Sequence, residues 1–211
     1  TNLITTGCGG APPSLPVFTF TQFRLKRWTG PVESTDWLAD ADTEYRVSPG
    51  SQLRARVQIV NSVAGGTITP TLQCSAAGGS YFTVSDDCSG DGLTDDAPFC
   101  FGTPPGLTEP AIASGQLTTC GGTLVSGQVV MNATPHPAVT TALNGCFESE
   151  FALQVKQGLA LATDPLRCRI VDGTGTALPF GGALSSTTNW GRRTTPRGHH
   201  EGGTIFPGVT R

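Results

Sequence analysis

Alternation of apolar and polar positions is the strongest signal along the chain. In Gln52–Asn61, Leu53, Ala55, Val57 and Ile59 share one parity and Arg54, Arg56 and Gln58 the other, which is the period of a strand and not of a helix. Residues 147–155 repeat it, with Phe147, Phe151, Leu153 and Val155 on one side and Glu148, Glu150, Ala152 and Gln154 on the other. Both strands are expected to face one core and to turn their charged parity to solvent. Residues 17–28 differ: Phe18 and Phe20 share a parity that Phe23 and Leu25 leave. That implies a bulge near Thr21, or a strand buried on both faces.

Shorter runs follow. Residues 68–74 and 80–84 flank Ala76-Ala-Gly-Gly79 as a hairpin-like pair, and strands are expected again over 123–131 and 166–171, the last ending in the turn Asp172-Gly-Thr-Gly175. Residues 33–45, around Trp37, read as irregular with at most one short helical turn. Residues 85–122 show no sustained period but contain Cys88, Cys100 and Cys120, so a long loop stapled by disulfides is expected there. Together these elements predict an all-β fold, an antiparallel β-sandwich of jelly-roll or Ig-like kind over residues 17–181. It would carry an extended N-terminal arm (1–16) and a C-terminal extension (182–211). The extension is polar but holds the apolar residues Trp190, Ile205 and Phe206, anchors that a neighbour could order.

Composition agrees with that outline. A chain of 211 residues suits one all-β domain, and 28 Gly, 16 Pro and 14% charged residues favour turns and extended segments over helices. A net charge of −3 is too small to draw nucleic acid or a membrane by bulk attraction, so no nucleic-acid partner is expected. Charge is unevenly placed. Residues 57–155 contain no Lys or Arg but hold Asp86, Asp87, Asp91, Asp95, Asp96, Glu109, Glu148 and Glu150, whereas Arg192, Arg193, Arg197 and Arg211 make the C-terminal stretch basic. A basic tail lying on an acidic neighbour is one reading, and a solvated acidic loop is the plainer one.

Seven cysteines without metal-ligand spacing point to disulfides and an oxidising compartment, hence a secreted, extracellular or cell-surface protein. The chain starts at Thr1 and holds no apolar run of about 18 residues, so a mature product without a transmembrane segment is expected. Cys74 with Cys168, both pointing inward from core strands, and Cys88 with Cys100, across the long loop, are the expected pairs. Cys120 and Cys146 complete the disulfide candidates, and Cys8 is the candidate for the leftover thiol or for a bond to a neighbouring chain.

Candidate chemistry is sparse. Asp87-Cys-Ser-Gly-Asp91-Gly-Leu-Thr-Asp95 places oxygen ligands Asp87, Ser89, Asp91 and Asp95 at positions 1, 3, 5 and 9, with Gly92 at 6, as a hard-cation loop requires. This stretch resembles the calcium loops of thrombospondin-type-3 and dockerin-like repeats over about ten residues, which implies Ca²⁺. It departs from them at position 3 (Ser89) and at position 12, where Pro98 replaces the bidentate acid. A disulfide-pinned acidic turn is the alternative, and no cofactor is required. No Gly-x-Ser-x-Gly elbow is present. His136 lies in a Pro-flanked loop, and His199 and His200 lie in the C-terminal stretch. Glu148 and Glu150, projecting from an outer strand face, are expected in solvent, so the chain reads as a non-enzyme. Arg54, Arg56, Arg167 and Arg169 form a candidate outward stripe that either binds an anionic glycan or adjacent subunit, or simply keeps sheet edges apart. Trp28, Trp37, Tyr81 and Trp190 are candidate stacking platforms for a glycan, and Asn132-Ala-Thr134 is a sequon.

The order Gln22-Phe-Arg-Leu-Lys-Arg-Trp28, Leu53-Arg-Ala-Arg-Val57, Leu72-Gln-Cys74, Glu150-Phe-Ala-Leu-Gln154 and Leu166-Arg-Cys-Arg-Ile-Val-Asp-Gly-Thr-Gly-Thr-Ala-Leu178 resembles a family of secreted bacterial β-sandwich modules, with similar modules on phage virion surfaces. The resemblance implies an extracellular structural or adhesive role and transfers no catalytic residue. The leading expectation is a subunit of an extracellular filament or surface assembly, a homopolymer joined by strand exchange through its terminal arms. Val17, Phe18, Phe20, Phe23 and Leu25 would be the donor strand, with Trp190, Arg192 and Arg193 as further interface residues. The plainer version keeps that strand in its own sheet. A carbohydrate-binding or adhesive module and a virion decoration protein are the alternatives.

Overall fold

A computed structural model describes residues 14–76, 79–90, 96–107, 111–112, 115–117, 120–133, 136–159 and 166–181, together with the backbone of 188–193. Among these residues the regular structure is β alone: β1 (Phe18–Arg27), β2 (Arg46–Val47), β3 (Gln52–Asn61), β4 (Gly66–Ile68), β5 (Thr71–Ser75), β6 (Phe82–Thr83), β7 (Phe99–Phe101), β8 (Ala111–Ile112), β9 (Leu124–Val125), β10 (Gly127–Val130), β11 (Val139–Thr141), β12 (Cys146–Val155), β13 (Leu166–Val171) and β14 (Thr188–Arg193). The two ten-residue runs with the cleanest alternation, β3 and β12, lie side by side and antiparallel at the centre of a seven-stranded sheet. β1 flanks β3 and β7 pairs with β12, both antiparallel, whereas β9 and β10 run parallel to β12, so the large sheet is mixed and not wholly antiparallel as expected. A second sheet has the order β2-β14-β13-β5-β6, and β4 pairs with β11 in a small third one.

The apolar parity does what its spacing requires. Phe23, Leu25, Leu53, Ala55, Val57, Ile59, Phe147, Phe151 and Leu153 of the large sheet share one core with Leu72, Cys74, Leu166, Cys168 and Ile170 of the second. Each fully buried Leu, Ile, Val or Phe side chain contributes about 1.5–3 kcal/mol of transfer free energy. The parity change in β1 is a β-bulge, with the register on β3 shifting between Phe20 and Gln22. Without the extra residue Phe20 and Phe23 would lie on opposite faces; with it both are buried.

Three disulfides join Cys74 to Cys168, Cys88 to Cys100 and Cys120 to Cys146. The first links directly opposed residues of β5 and β13. Cys8 lies outside the described residues.

Several expectations need correction. The stretch 85–122 is stapled as expected but is not loop throughout: it supplies β7, whose Phe99, Cys100 and Phe101 are buried against β12, and β8, which pairs with β10. Its aperiodic sequence concealed β7 because a three-residue strand buried on both sides has no alternation to show. The C-terminal stretch is not wholly an extension, since the backbone of 188–193 forms β14 between β13 and β2. Arg54 and Arg56 do not share a stripe with Arg167 and Arg169, because β3 and β13 belong to different sheets. β1 is held within its own chain, opposed residue by residue to β3, and its outer edge is covered too. Asp36, Leu38 and Asp42 bond its backbone at Arg27, Leu25 and Phe23, and Pro179 and Gly181 bond it at Phe20.

Candidate functional site

The polar parity of the large sheet is where the structure departs furthest from the alternation rule. Lys26, Arg54, Arg56, Glu148 and Glu150 are fully buried. Antiparallel register sets Lys26 opposite Arg54, Arg56 opposite Glu150 and Gln58 opposite Glu148, and directly opposed side chains project from the same face. That face is a second interior because two connections are laid over it, residues 28–38 after β1 and residues 115–117 before β9.

The charges hold those connections in place. Glu150 accepts from Arg54 Nη1 at 2.7 Å and from Lys26 Nζ at 3.3 Å. Arg54 also donates to the carbonyls of Arg27, Thr29 and Pro31, and Lys26 to the carbonyl of Val32 at 2.5 Å. Glu148 accepts the backbone N–H groups of Gln116 and Leu117 at 2.9–3.0 Å. Trp37 lies beneath two cations, 4.7 Å from the Arg24 guanidinium carbon and 5.2 Å from Lys26 Nζ. Burial pushes Lys26 down to about 8, against the pull of Glu150, with Arg56 and Arg54 adding to the fall. Glu148 and Glu150 are thus structural anions inside the protein and not solvent-facing charges. The readable signal was the pairing of Arg-x-Arg in one long strand with Glu-x-Glu in another: opposite charges at matching parity are neighbours when the strands adjoin.

The remaining candidates are dispersed. Asp87 and Ser89 meet, but in a local turn in which Asp87 Oδ1 accepts from Ser89 N at 2.8 Å and from Ser89 Oγ at 2.6 Å, holding the Asp87 carboxyl below the usual range. Asp91 and Asp95 lie outside the described residues, and among the described ones no group of three His, Cys, Asp or Glu is placed to hold a metal ion. Asp96 pairs with Lys156 at 2.5 Å. His136 is buried with its ring edge-on to Phe101 and Phe151, and desolvation lowers it to about 4. His199 and His200 lie outside the described residues.

Of the aromatic candidates, Tyr81 carries the Arg169 guanidinium over its ring at 4.4 Å, and the Trp190 side chain lies outside the description. Trp28 is half-buried and lines, with Tyr45, Arg27, Arg46, Ser48 and Gln52, a pocket of about 520 Å³. Phe18, Phe20, Phe23 and Leu25 are core residues of their own chain, and only Val17 of that set is exposed.

Two features bear on assembly. β14 occupies a slot between β13, with register pairs at Leu166, Arg167 and Cys168, and β2, with pairs at Arg46 and Val47. At one end of the large sheet stand the exposed large apolar side chains of the described residues, Leu15 (79% exposed), Val17 (42%), Val63 (42%) and Leu143 (52%). Backbone and side-chain bonds tie their three segments together: Ser62 N to the Val17 carbonyl, Asn61 N to that of Gly145, and Asn61 Nδ2 to that of Ala142.

No family model matches the chain, and no curated protein or solved structure matches it. Three intramolecular disulfides are present, and among the described residues no helix is long and apolar enough to cross a membrane.

Proposed function

We propose that this chain is a non-catalytic structural subunit of an extracellular filament or surface layer, a β-sandwich of mixed sheets whose copies are joined by exchange of a terminal strand. The observation that carries this reading is β14, a strand from the C-terminal stretch seated between β13 and β2. The same slot filled by the β14 of a second copy makes a head-to-tail contact through main-chain hydrogen bonds, and such a contact propagates without closing. β14 suits exchange better than β1 does. It has three register pairs with β13 and two with β2, whereas β1 has nine with β3 and buries Phe20, Phe23 and Leu25. The apolar end around Leu15, Val17, Val63 and Leu143 supports copy-to-copy contact, since clustered exposed apolar side chains mark interaction surfaces.

Light scattering and negative-stain imaging test this. The full chain is expected to form chains of subunits above micromolar concentration. Deletion of residues 182–211 is expected to leave monomers, and the excised segment added as a peptide to bind that truncated protein. A full chain that stays monomeric at all concentrations overturns the reading.

An adhesive role is the second reading, favoured by the pocket of about 520 Å³ in which Trp28 and Tyr45 stand beside Arg27 and Arg46 with no carboxylate in the lining. Its volume is that of a small-ligand site, and its charge suits an acidic glycan. A glycan array on which Trp28→Ala and the unaltered chain behave alike removes it.

A further inference from the structure

The two sheets treat an Arg-x-Arg pair in opposite ways. In the large sheet Arg54 and Arg56 of β3 lie beside Glu148 and Glu150 of β12 and are sealed from solvent. In the second sheet β13 carries Arg167 and Arg169 on the parity opposite to its core residues Leu166, Cys168 and Ile170. Their register partners are neutral, Ser75 and Gln73 on β5 and Asn189 on β14. The five strands of this sheet contain Arg46, Arg167, Arg169, Arg192 and Arg193 and no Asp or Glu. Gln73, Arg167 and Arg169 are half-buried and Thr83 is exposed, so solvent reaches this face.

Arg169 is fixed in place by neutral groups. Its guanidinium lies 4.4 Å over the Tyr81 ring, and Nε and Nη2 donate to Gln73 Oε1 at 3.0 and 2.8 Å. Gln73 Nε2 in turn donates to Thr83 Oγ1 at 3.4 Å, so Thr83, Gln73 and Arg169 form one bonded row across β6, β5 and β13. The row sets the guanidinium plane and leaves Nη1 without a partner among the described residues. Asp172, the nearest carboxylate along the strand, uses Oδ1 for Thr174 and Thr176 of its own turn. A guanidinium whose rotamer is already fixed loses little entropy when it binds an oxyanion.

We infer that this face binds a linear anionic polysaccharide, with a carboxylate or sulfate group on Arg169 Nη1. Arg167 follows on the same side of β13 at roughly 6.7 Å, two residues of strand rise, within reach of a further anionic group on the same polymer. Thr83 accepts from Gln73 and keeps its own O–H to donate to a sugar oxygen. Two guanidinium groups among hydroxyl and amide groups match a polymer of sparse charge and many hydroxyls. A nucleic acid is held instead by many phosphate contacts at once, about 6–10. None of these residues lines the pocket beside Trp28, and a single copy supplies them all, so the inference depends on neither reading above.

Affinity electrophoresis of the full chain through gels containing polygalacturonate or dextran sulfate tests it, with neutral dextran and duplex DNA as comparisons. Retardation is expected in at least one anionic glycan, lost as salt rises between about 50 and 500 mM, and absent in neutral dextran. Polygalacturonate alone identifies a carboxylate ligand and dextran sulfate alone a sulfate. Arg169→Gln is expected to bind about tenfold more weakly, with its urea midpoint showing that it folds. No retardation in either anionic glycan, equal binding by Arg169→Gln, or equal retardation in DNA overturns the inference. A loss confined to Trp28→Ala moves the site to the pocket and also overturns it. Should Arg169→Gln fail to fold, Tyr81→Leu removes the ring beneath the guanidinium and keeps the charge. Binding about threefold weaker is then expected, and unchanged binding overturns the inference.

Discussion

Glu150 shows how little a single residue's parity says once a face is covered from outside the sheet. On sequence it alternates outward; in the fold it is the common acceptor of Arg54 and Lys26 inside the protein. Removing its charge leaves two buried cations short of an anion, so Glu150→Gln is expected to cost about 3–5 kcal/mol, read as a fall in the urea midpoint. His136 gives a second prediction. Its folded value, about 4, lies below the ordinary 6.5 because burial disfavours the imidazolium. The unfolded chain therefore binds the proton first. The contribution of this residue is intact above about pH 6.5 and is lost as pH falls towards 4, by about 3 kcal/mol in total. His136→Phe keeps an aromatic ring against Phe101 and Phe151 and does not titrate, so its stability is expected to fall less than that of the unaltered chain between pH 6.5 and 4. Parallel pH profiles contradict this assignment.

Among the elements, the long alternating strands were legible and the short ones were not. β3 and β12 declare their inner face over ten residues each, and the bulge in β1 was readable because Phe18 and Phe20 disagree in parity with Phe23 and Leu25. β7 and β8 were not readable, since two or three residues define no period and both are placed by pairing with distant strands. Gly127 in β10 shows the closeness of such pairing. A Cβ there would overlap the carbonyl oxygen of Glu148 in the adjacent β12, a backbone atom that cannot rotate away. Gly127→Ala is expected to lose about 1–3 kcal/mol in chemical denaturation. The disulfides should rank by the loop each one closes. Cys74–Cys168 spans 94 residues and Cys88–Cys100 spans 12. In the chain-entropy model, replacing the first pair by Ala should cost about 4–5 kcal/mol and the second about 3; a larger loss from the second pair contradicts that ordering.

At the scale of the whole molecule, two sheets share one core while the large sheet carries a second, ionic interior on its other face. The C-terminal stretch closes the second sheet, and an apolar end stands open. If that end joins copies, Leu15→Ser, Val63→Ser and Leu143→Ser together should shift light-scattering mass towards the monomer. The urea midpoint should hardly move, because exposed substitutions typically change stability by less than about 0.5 kcal/mol each. An unchanged mass distribution removes the apolar end from the assembly surface.

Local alternation by itself determined that the chain is built of strands and which side chains of β3 and β12 enter the shared core, and the number and spacing of its cysteines that they serve as crosslinks. A period of two assigns faces but carries no information about what is laid over them. Whether the polar face met water or protein was therefore decided only in three dimensions, when residues 28–38 and 115–117 closed over Lys26, Arg54, Arg56, Glu148 and Glu150. The seat of β14 was decided there too, because pairing partners more than a hundred residues apart in the chain, Arg46 and Arg192 among them, leave no trace in the local pattern of either strand.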